Sequence, residues 1–414
     1  MGYKHGLKQK RILLRLIVGL MLILLLASLN TKEADASSDL SDGNLATGLS
    51  ENNTVGQLTD GSVNSGISED IDYSEIQQVI NDVLGQGNEF DFQGYVGKLI
   101  NGQVSFSFKD IGNQLFQSVK GEVKANLGTF GRLITIALIA ALFTSLSMAF
   151  KNNQVSETGY YVTYLMMFTL LISTFISASV IASNAISAIL SFMKALVPAY
   201  FMSVGFCTGS ITSLVYYEAA LMMITLVDFL IIKIVIPLIN FYLIITLANN
   251  LSKEDMLSKL AGLFSTAINW LLKSMLAAVI GFHTIQGLIV PVADRVKRSA
   301  LLKASEAIPG VGNAVGGVAE TILSAGILLK NAIGVTGLVV ILVICTAPFI
   351  KLLVITFIYK IGSAALQPVS DKRIIECISA AAKSAGMLLQ TVFVGAVLFL
   401  LSITIVAVTT GTGG

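Results

Sequence analysis

The stretch that decides the fold is GLVVILVICTAPFIKLLVITFIYKIG, residues 337–362. It is almost wholly apolar, yet Pro348 and Lys351 lie near its middle and Lys360 lies near its end. A proline in a helix interior costs about 3 kcal/mol. A lone charge in an apolar medium is also costly unless it is paired or reaches water. The surroundings of this stretch must therefore tolerate one proline and two lysines.

The composition indicates which solvent surrounds this run. Of the 414 residues, 54% are hydrophobic and only 13% are charged, whereas a soluble domain carries about 25% charged residues. Polar side chains are too few to cover a globule of this size in water, so the remaining apolar surface must face lipid. The sequence therefore predicts an all-α polytopic membrane protein.

Charge divides the chain into two parts. Between Ser37 and Lys124 there are 13 acidic and 4 basic residues, and from Ala125 to the end there are 17 basic and 10 acidic residues. The acidic part is rich in Gly, Asn and Ser, which indicates exposure to water. The basic remainder indicates membrane helices joined by basic loops.

The first 36 residues have the pattern of a secretory signal peptide. A basic start is followed by the short apolar block Leu16–Leu29 and by Ala34-Asp35-Ala36, which fits a cleavage site. An uncleaved N-terminal anchor stays open as the alternative, because charged residues lie close to the cut. In either case the following residues are delivered across the membrane.

Three further regions follow the signal peptide. Residues 37–72 carry few large apolar side chains, so we predict a disordered, acidic, extracytoplasmic segment. Residues 73–131 show apolar positions at helical spacing, which predicts an amphipathic helical extracytoplasmic region. Residues 132–410 form the predicted polytopic transmembrane domain.

We predict about seven or eight transmembrane helices, with amphipathic helices at the interface between them. A span needs about 20 residues. Two of the segments are short and adjoin a proline, so the count falls to seven or six if either proline kinks one long helix. The predicted spans are 132–150, 161–187, 212–232, 234–249, 270–290, 332–347, 349–366 and 386–408.

Basic residues predict the orientation of these spans. With Ser37 outside the cytoplasm, eight spans place Arg295, Lys297, Arg298 and Lys303 in the cytoplasm, together with Lys372 and Arg373.

The positions of the prolines suggest an internal sequence repeat. Pro198 and Pro237 recur as Pro309 and Pro348, both at an offset of 111 residues. With three spans in each unit, successive copies would be inverted, which is a common design of transport proteins.

Two interpretations of the opening stretch remain. If Pro348 ends one span and begins the next, Lys351 can extend its ammonium to the membrane surface. If the helix instead continues through a kink, Lys351 faces a polar interior, and its partner would be Glu218 or Asp228. Asp228 could also pair with Lys233, five residues along.

No pattern in the sequence supplies catalytic chemistry. There is no GxxxxGK(S/T) phosphate loop, no HExxH and no cysteine–histidine metal set. Gly312 and Gly316 lie in a glycine-rich stretch without dinucleotide-binding spacing, and they form a small-xxx-small face typical of close helix packing. We therefore predict a non-enzymatic protein with no cofactor and no metal.

Residues 327–373 resemble the stage III sporulation protein AE family. The resemblance is carried by ILLKN and the following glycines at Ile327–Gly337, by the Pro348–Lys351 break, by FIYKI through LQP at Phe357–Pro368, and by IPGVG at Ile308–Gly312. It runs from about Arg132 to the C-terminus. The polar 37–70 region offers nothing that matches the family.

This resemblance implies a multi-pass protein of endospore-forming bacteria, made in the mother cell and placed in the membrane around the forespore. It implies membership of a channel or secretion-like complex with the ATPase stage III sporulation protein AA and the ring proteins AG and AH. AH in turn meets the stage II sporulation protein Q of the forespore. The alternative from the residues is a secondary transporter of a small solute, and homo-oligomerisation through small-residue helix faces is a further expectation.

Overall fold

A computed structural model gives the fold. It describes residues 71–84, 90–103, 108–150, 153–208, 210–251, 256–306, 312–368 and 370–409. The described residues are helical apart from short turns and contain no strand, which confirms the predicted all-α class. The predicted signal peptide, the 37–70 segment and Pro309 lie outside the described residues.

The helices are few and long. In chain order they are α1 Ser74–Leu84, α2 Phe92–Ile100, α3 Phe108–Phe150, α4 Asn153–Thr208, α5 Ser210–Asp228, a π-helical segment Phe229–Val235, α6 Ile236–Leu251, α7 Ser258–Glu306, α8 Gly312–Leu366 and α9 Lys372–Thr409.

The two N-terminal helices form a pair that packs on the longer ones. The Gln77 side chain joins them, since its Nε2 donates to Phe90 O (2.8 Å) and its Oε1 accepts from Phe92 N (2.9 Å). Ile76 and Phe92 are buried. The Phe92 ring meets the Phe192 ring of α4 edge-on, with centroids 6.5 Å apart. The amphipathic face predicted for this region is therefore the face that docks onto α4.

Asp72 begins this pair. Its Oδ1 accepts a hydrogen bond from the Ser74 backbone N–H at 2.9 Å, which satisfies a donor at the start of α1. Hydrogen bonding with Ser74 lowers the pKa of the Asp72 carboxyl.

Five stretches of the described residues are long and apolar enough to cross a membrane. They are Tyr161–Gly205, Tyr217–Leu251, Ser258–Ile285, Ser324–Leu366 and Lys372–Thr404. This confirms a multi-pass membrane protein, but it does not confirm the count of seven or eight.

Two of the three differences from eight spans arise at the prolines, and the third is the predicted span 132–150, where many side chains lie outside the described residues. Pro348 lies inside the continuous helix α8, and Pro237 is the second residue of α6, which continues from α5 through the π-helical segment. The expectation that the chain reverses at these prolines is therefore wrong. A proline removes one helical N–H, whereas a turn would free the hydrogen bonds of several residues, each of which is costly in hydrocarbon.

Helix contacts set the relative directions. A Cβ built on Gly334 would lie 3.4 Å from the Tyr200 ring, and one built on Gly337 would meet Leu196, so α8 runs antiparallel to α4. A Cβ on Gly386 of α9 would lie 3.7 Å from Thr356, and one on Gly362 would lie 3.9 Å from Ile378, so α9 runs antiparallel to α8.

The long helices form three packed antiparallel pairs. These are α3 with α4, α6 with α7, and α8 with α9. Each proline-containing unit holds two long helices instead of three spans, because the chain does not reverse at Pro237 or Pro348. Because an even number of helices returns the chain to its starting side, the two predicted copies would run in the same direction; the repeat itself stays a prediction.

The same change bears on the predicted orientation. Only one helix, α8, separates the basic residues of 295–303 from Lys372 and Arg373. The two basic groups therefore lie at opposite ends of α8. Which side of the membrane each group faces stays a prediction.

Candidate functional site

The residues predicted from sequence do not form one cluster. Pro198 and Pro348 are half-buried inside α4 and α8, Glu218 is exposed on α5, and Asp228 is half-buried at the end of α5. Lys351 is exposed. Among the side chains that the structure describes, it makes no ion pair with either carboxylate. The helix thus continues through Pro348, as the interpretation with a kinked helix requires. Lys351 nevertheless points outward, as the interpretation with a break at Pro348 requires.

The two predicted packing glycines open α8. Gly312 is its first residue, and Gly316 follows one turn later. The surroundings of both lie outside the described side chains.

A polar layer crosses the bundle part-way along its helices. A Cβ built on Gly395 of α9 would lie 3.5 Å from Ile231 and closer still to Ile186, so these three residues share one level. The Phe349 and Phe393 rings meet nearby, with centroids 6.2 Å apart. Within about 8 Å of this level along the helix axes, four helices each carry an exposed polar residue: Asn184 on α4, Lys233 in the π-helical segment, Lys351 on α8 and Gln390 on α9.

Between the polar layer and the helix ends at Leu251, Ser258, Leu366 and Lys372, the exposed side chains are chiefly apolar. We call this part the membrane half. It comprises Tyr161–Val180 of α4, Pro237–Leu251 of α6, the first part of α7, Leu352–Leu366 of α8 and Lys372–Leu389 of α9. On α4 the exposed residues include Leu165, Met166 and Ile176. The exposed Thr169 hydroxyl donates to Leu165 O at 2.8 Å, so it adds little polarity to that surface.

The thickness of the membrane half fits a bilayer. Tyr161 and Asn184 are 23 residues apart on α4, which is about 34 Å of helix. A hydrocarbon core is about 30 Å thick. The membrane half is therefore about as thick as a hydrocarbon core, and apolar side chains such as Met222 and Phe229 are exposed beyond the polar layer as well.

One helix reverses this pattern. Between Lys372 and Thr404, every exposed residue of α9 is polar: Lys372, Glu376, Ser379, Lys383 and Gln390. Their spacing of three, four and seven residues places them on one helix face. We call this face the α9 stripe. The opposite faces of α9 pack on α4, α6, α7 and α8.

Two lysines lie deep in the membrane half. Lys383 of the α9 stripe is seven residues from Gln390, or about 10 Å from the polar layer. Lys360 of α8 is exposed and lies about 13 Å from Lys351. The contacts of Gly386 with Thr356 and of Gly362 with Ile378 place Lys360 and Lys383 at about the same level along the helix axes.

The Lys383 ammonium also contacts an aromatic ring. Its Nζ lies 5.0 Å from the centroid of Tyr242 on α6, within the range of a cation–π interaction. At the N-terminal end of α9 the stripe carries Lys372 and Glu376, whose charged atoms are 3.8 Å apart. The stripe is therefore net positive along its length.

A buried polar network ties three helices at the end of the membrane half that lies away from the polar layer. The Tyr164 hydroxyl of α4 donates to Leu247 O of α6. The Cys377 thiol of α9 donates to the Tyr164 oxygen at 3.2 Å, and the Asn250 amide approaches Cys377 Sγ at 3.6 Å. Cys377 is therefore a buried residue with a hydrogen-bonding role.

An apolar cavity of about 40 Å³ lies at the junction of α4, α5, α7 and α9. Its polar lining includes His283 and Ser402, with Nε2 2.8 Å from Oγ. The Ser402 hydroxyl donates its single proton to Leu398 O at 2.9 Å, so Nε2 is the donor towards Oγ. In this arrangement His283 does not act as a base towards the serine. The described residues contain no cluster of three or more His, Cys, Asp or Glu that could hold a metal ion.

Sequence reasoning missed the shared depth of Lys360 and Lys383, and it missed the burial of Lys330, which is 0% exposed inside α8. The α9 stripe had a signal in the sequence, because the polar residues from Lys372 to Gln390 keep helical spacing through an apolar run. The depth of Lys360 had none, because it depends on where the bilayer lies along a helix longer than the membrane.

Five long apolar helices with a bilayer-thick apolar belt define a multi-pass helical membrane protein. The chain belongs to the stage III sporulation protein AE family, whose family model matches residues 90–410. It is similar to stage III sporulation protein AE of Bacillus subtilis (strain 168), with 28% identity over 315 residues, 76% of this chain and 79% of the relative. No solved structure matches the chain.

Proposed function

We propose that the chain is a non-enzymatic integral component of a channel or secretion-like complex between mother cell and forespore, located in the mother-cell membrane around the forespore. Membership of the stage III sporulation protein AE family supports the role in sporulation. The observation that carries the finer proposal is that α4 and α8 continue without a break beyond the polar layer.

This continuation is large. From Asn184 to Thr208, α4 extends about 36 Å past the polar layer, and α8 reaches further, from Lys351 back to Gly312. We call these two segments the extension. The N-terminal helices α1 and α2 pack on it through Phe92 and Phe192. We propose that this helical body, although part of two stretches apolar enough to cross a membrane, stands outside the hydrocarbon and gives assembly partners a fixed surface.

The partners follow from this placement. If the N-terminal region is exported, as its signal-peptide pattern predicts, the extension faces the space between the two membranes. We propose that the ring proteins AG and AH meet the chain there, and that AH links it indirectly to stage II sporulation protein Q. We propose that the ATPase AA works from the opposite end, and that the chain also contacts further copies of itself.

Site-specific photo-crosslinking in sporulating cells tests the proposal. A photoreactive residue at Lys194, which is exposed on the extension, should cross-link to a ring protein. The same residue at Leu165, exposed in the membrane half of the same helix, is the matched control and should not. The proposal fails if neither position captures a stage III sporulation protein and none co-purifies with the full chain.

The structure gives no support to the alternative of a secondary transporter. That alternative rested on inverted copies and on helices broken at Pro237 and Pro348, whereas the helices are continuous and the predicted copies would run in the same direction.

A further inference from the structure

We propose that the α9 stripe, together with Lys360 of α8, lines a water-filled path through the membrane half that favours anions. The inference deepens the proposed function, because it assigns the path of a channel component to particular residues. It does not depend on which partners assemble with the chain.

The exposure pattern excludes a lipid-facing surface for this face. Lipid-facing helices expose apolar side chains, as α4 and α6 do with Ile176 and Phe241. The exposed residues of α9 are polar without exception over the described part of that helix. A lysine near the bilayer centre is costly unless it reaches water or a partner. Lys383 is too deep to share the headgroup region with Gln390, which already lies at the polar layer.

The surrounding groups indicate water rather than a buried ion pair. Lys383 has an aromatic neighbour, Tyr242, and the ion pairs found among the described side chains do not include Lys383 or Lys360. The only acidic member of the stripe, Glu376, lies at its end beside Lys372. Two ammonium groups at about the same depth, neither with an acidic partner among the described side chains, are costly in hydrocarbon unless water or anions reach them.

The charge of the path sets its preference. A cleft lined by one sign of charge between low-dielectric walls concentrates ions of the opposite sign, by about tenfold or more. The path would therefore admit anionic solutes, such as carboxylates or phosphates, ahead of cations. The side of the path opposite the α9 stripe would be open to water or formed by neighbouring subunits that leave water in contact with the stripe.

Thiol accessibility tests the inference on the full-length chain in opened membrane fragments, after Cys207, Cys345 and Cys377 are replaced by alanine. Single cysteines are placed by Lys383→Cys in the stripe and by Phe357→Cys, an exposed apolar position of the same half. The probe is a membrane-impermeant anionic methanethiosulfonate. Since only the hydrated thiolate reacts, Lys383→Cys should be modified at least about tenfold faster than Phe357→Cys.

A second measurement tests the charge preference. With Ser379→Cys, the anionic reagent should react faster than its trimethylammonium analogue, and that ratio should fall severalfold when Lys360→Gln is added. Gly262→Cys, exposed on α7, is the control for intrinsic reagent reactivity and should not respond to Lys360→Gln.

The inference is overturned if Lys383→Cys reacts no faster than Phe357→Cys, or if it forms a disulfide with a second copy on oxidation while remaining closed to the reagent. The latter result would make the stripe a protein contact. Loss of partner cross-linking at Lys194 with an accessible stripe would instead remove the proposed assembly and leave the path in place.

Discussion

Replacing Gly395 by alanine tests the contact that sets the level of α9 against α4 and the π-helical segment. A Cβ at this position would lie 2.5 Å from Ile186 Cδ1 and 3.5 Å from Ile231 Cδ1. Both isoleucines are fully buried, so the clash is relieved only by repacking. Overpacking costs about 1–3 kcal/mol, and the better helix propensity of alanine returns about 0.8–1.0 kcal/mol. We expect a net loss of up to about 2 kcal/mol.

The matched control is Gly262→Ala on α7, where no atom lies within 4 Å of the built Cβ. This variant gains propensity without a clash, so the two variants should differ by about 1–3 kcal/mol. Thermal unfolding in detergent, followed by Trp270 fluorescence, should give a midpoint several degrees lower for Gly395→Ala. Ile186→Val removes the clashing methyl group and should restore much of the loss when it is combined with Gly395→Ala. Equal midpoints for the two alanine variants would refute the described packing of α4, α9 and the π-helical segment.

Two further predictions concern the N-terminal pair. Gln77→Ala removes the hydrogen bonds to Phe90 and Phe92. It should lower the free energy of opening of the N-terminal pair, measured by hydrogen exchange, by about 1–3 kcal/mol. Gln78→Ala, at the exposed neighbouring position, should change this free energy little. Burial raises the pKa of Tyr73 to about 12. The unfolded phenol ionises near its ordinary value of 10, so the docked pair should be fully stable below about pH 10 and lose stability as pH rises towards about 12. The absorbance at about 295 nm should be titrated for the wild type and for Tyr73→Phe, and the difference between the two curves should show one tyrosine that ionises well above pH 10. Ionisation of that tyrosine near pH 10 would contradict its burial.

Composition and periodicity were sufficient for the class of fold. Apolar runs predict membrane helices because so many apolar side chains cannot all be buried inside a globule in water. The apolar spacing around Ile76 and Ile80 predicts the buried face of α1, which the structure confirms. Both inferences depend only on local pattern and on the solvent, and neither requires knowledge of how the helices meet.

The fates of individual lysines could not be predicted in this way. Lys330, Lys351 and Lys360 all lie in α8 with apolar neighbours in sequence, yet the first is fully buried and the other two are exposed. Burial is decided by which helix face meets a neighbour, and that is a property of the packed bundle. The sequence shows that each lysine lies in an apolar helix, but only the contacts between helices show which lysines are buried and which are exposed.

The expectation that the chain reverses at the prolines fails for a related reason. The depth of the two prolines explains why the helices tolerate them. Pro237 lies four residues after Lys233, and Pro348 lies three residues before Lys351, so both prolines fall close to the polar layer. The carbonyl that each proline leaves without its helical donor is four residues earlier, within about two turns of that layer. There, water and headgroups can reach polar atoms, and a cation can extend to the same surface. At mid-depth the freed carbonyl would have no such partner, yet a reversal would still cost more than a kink, because it frees the hydrogen bonds of several residues. The sequence leaves the depth of each proline open, because a helix of twice the membrane thickness does not reveal where the bilayer lies along it.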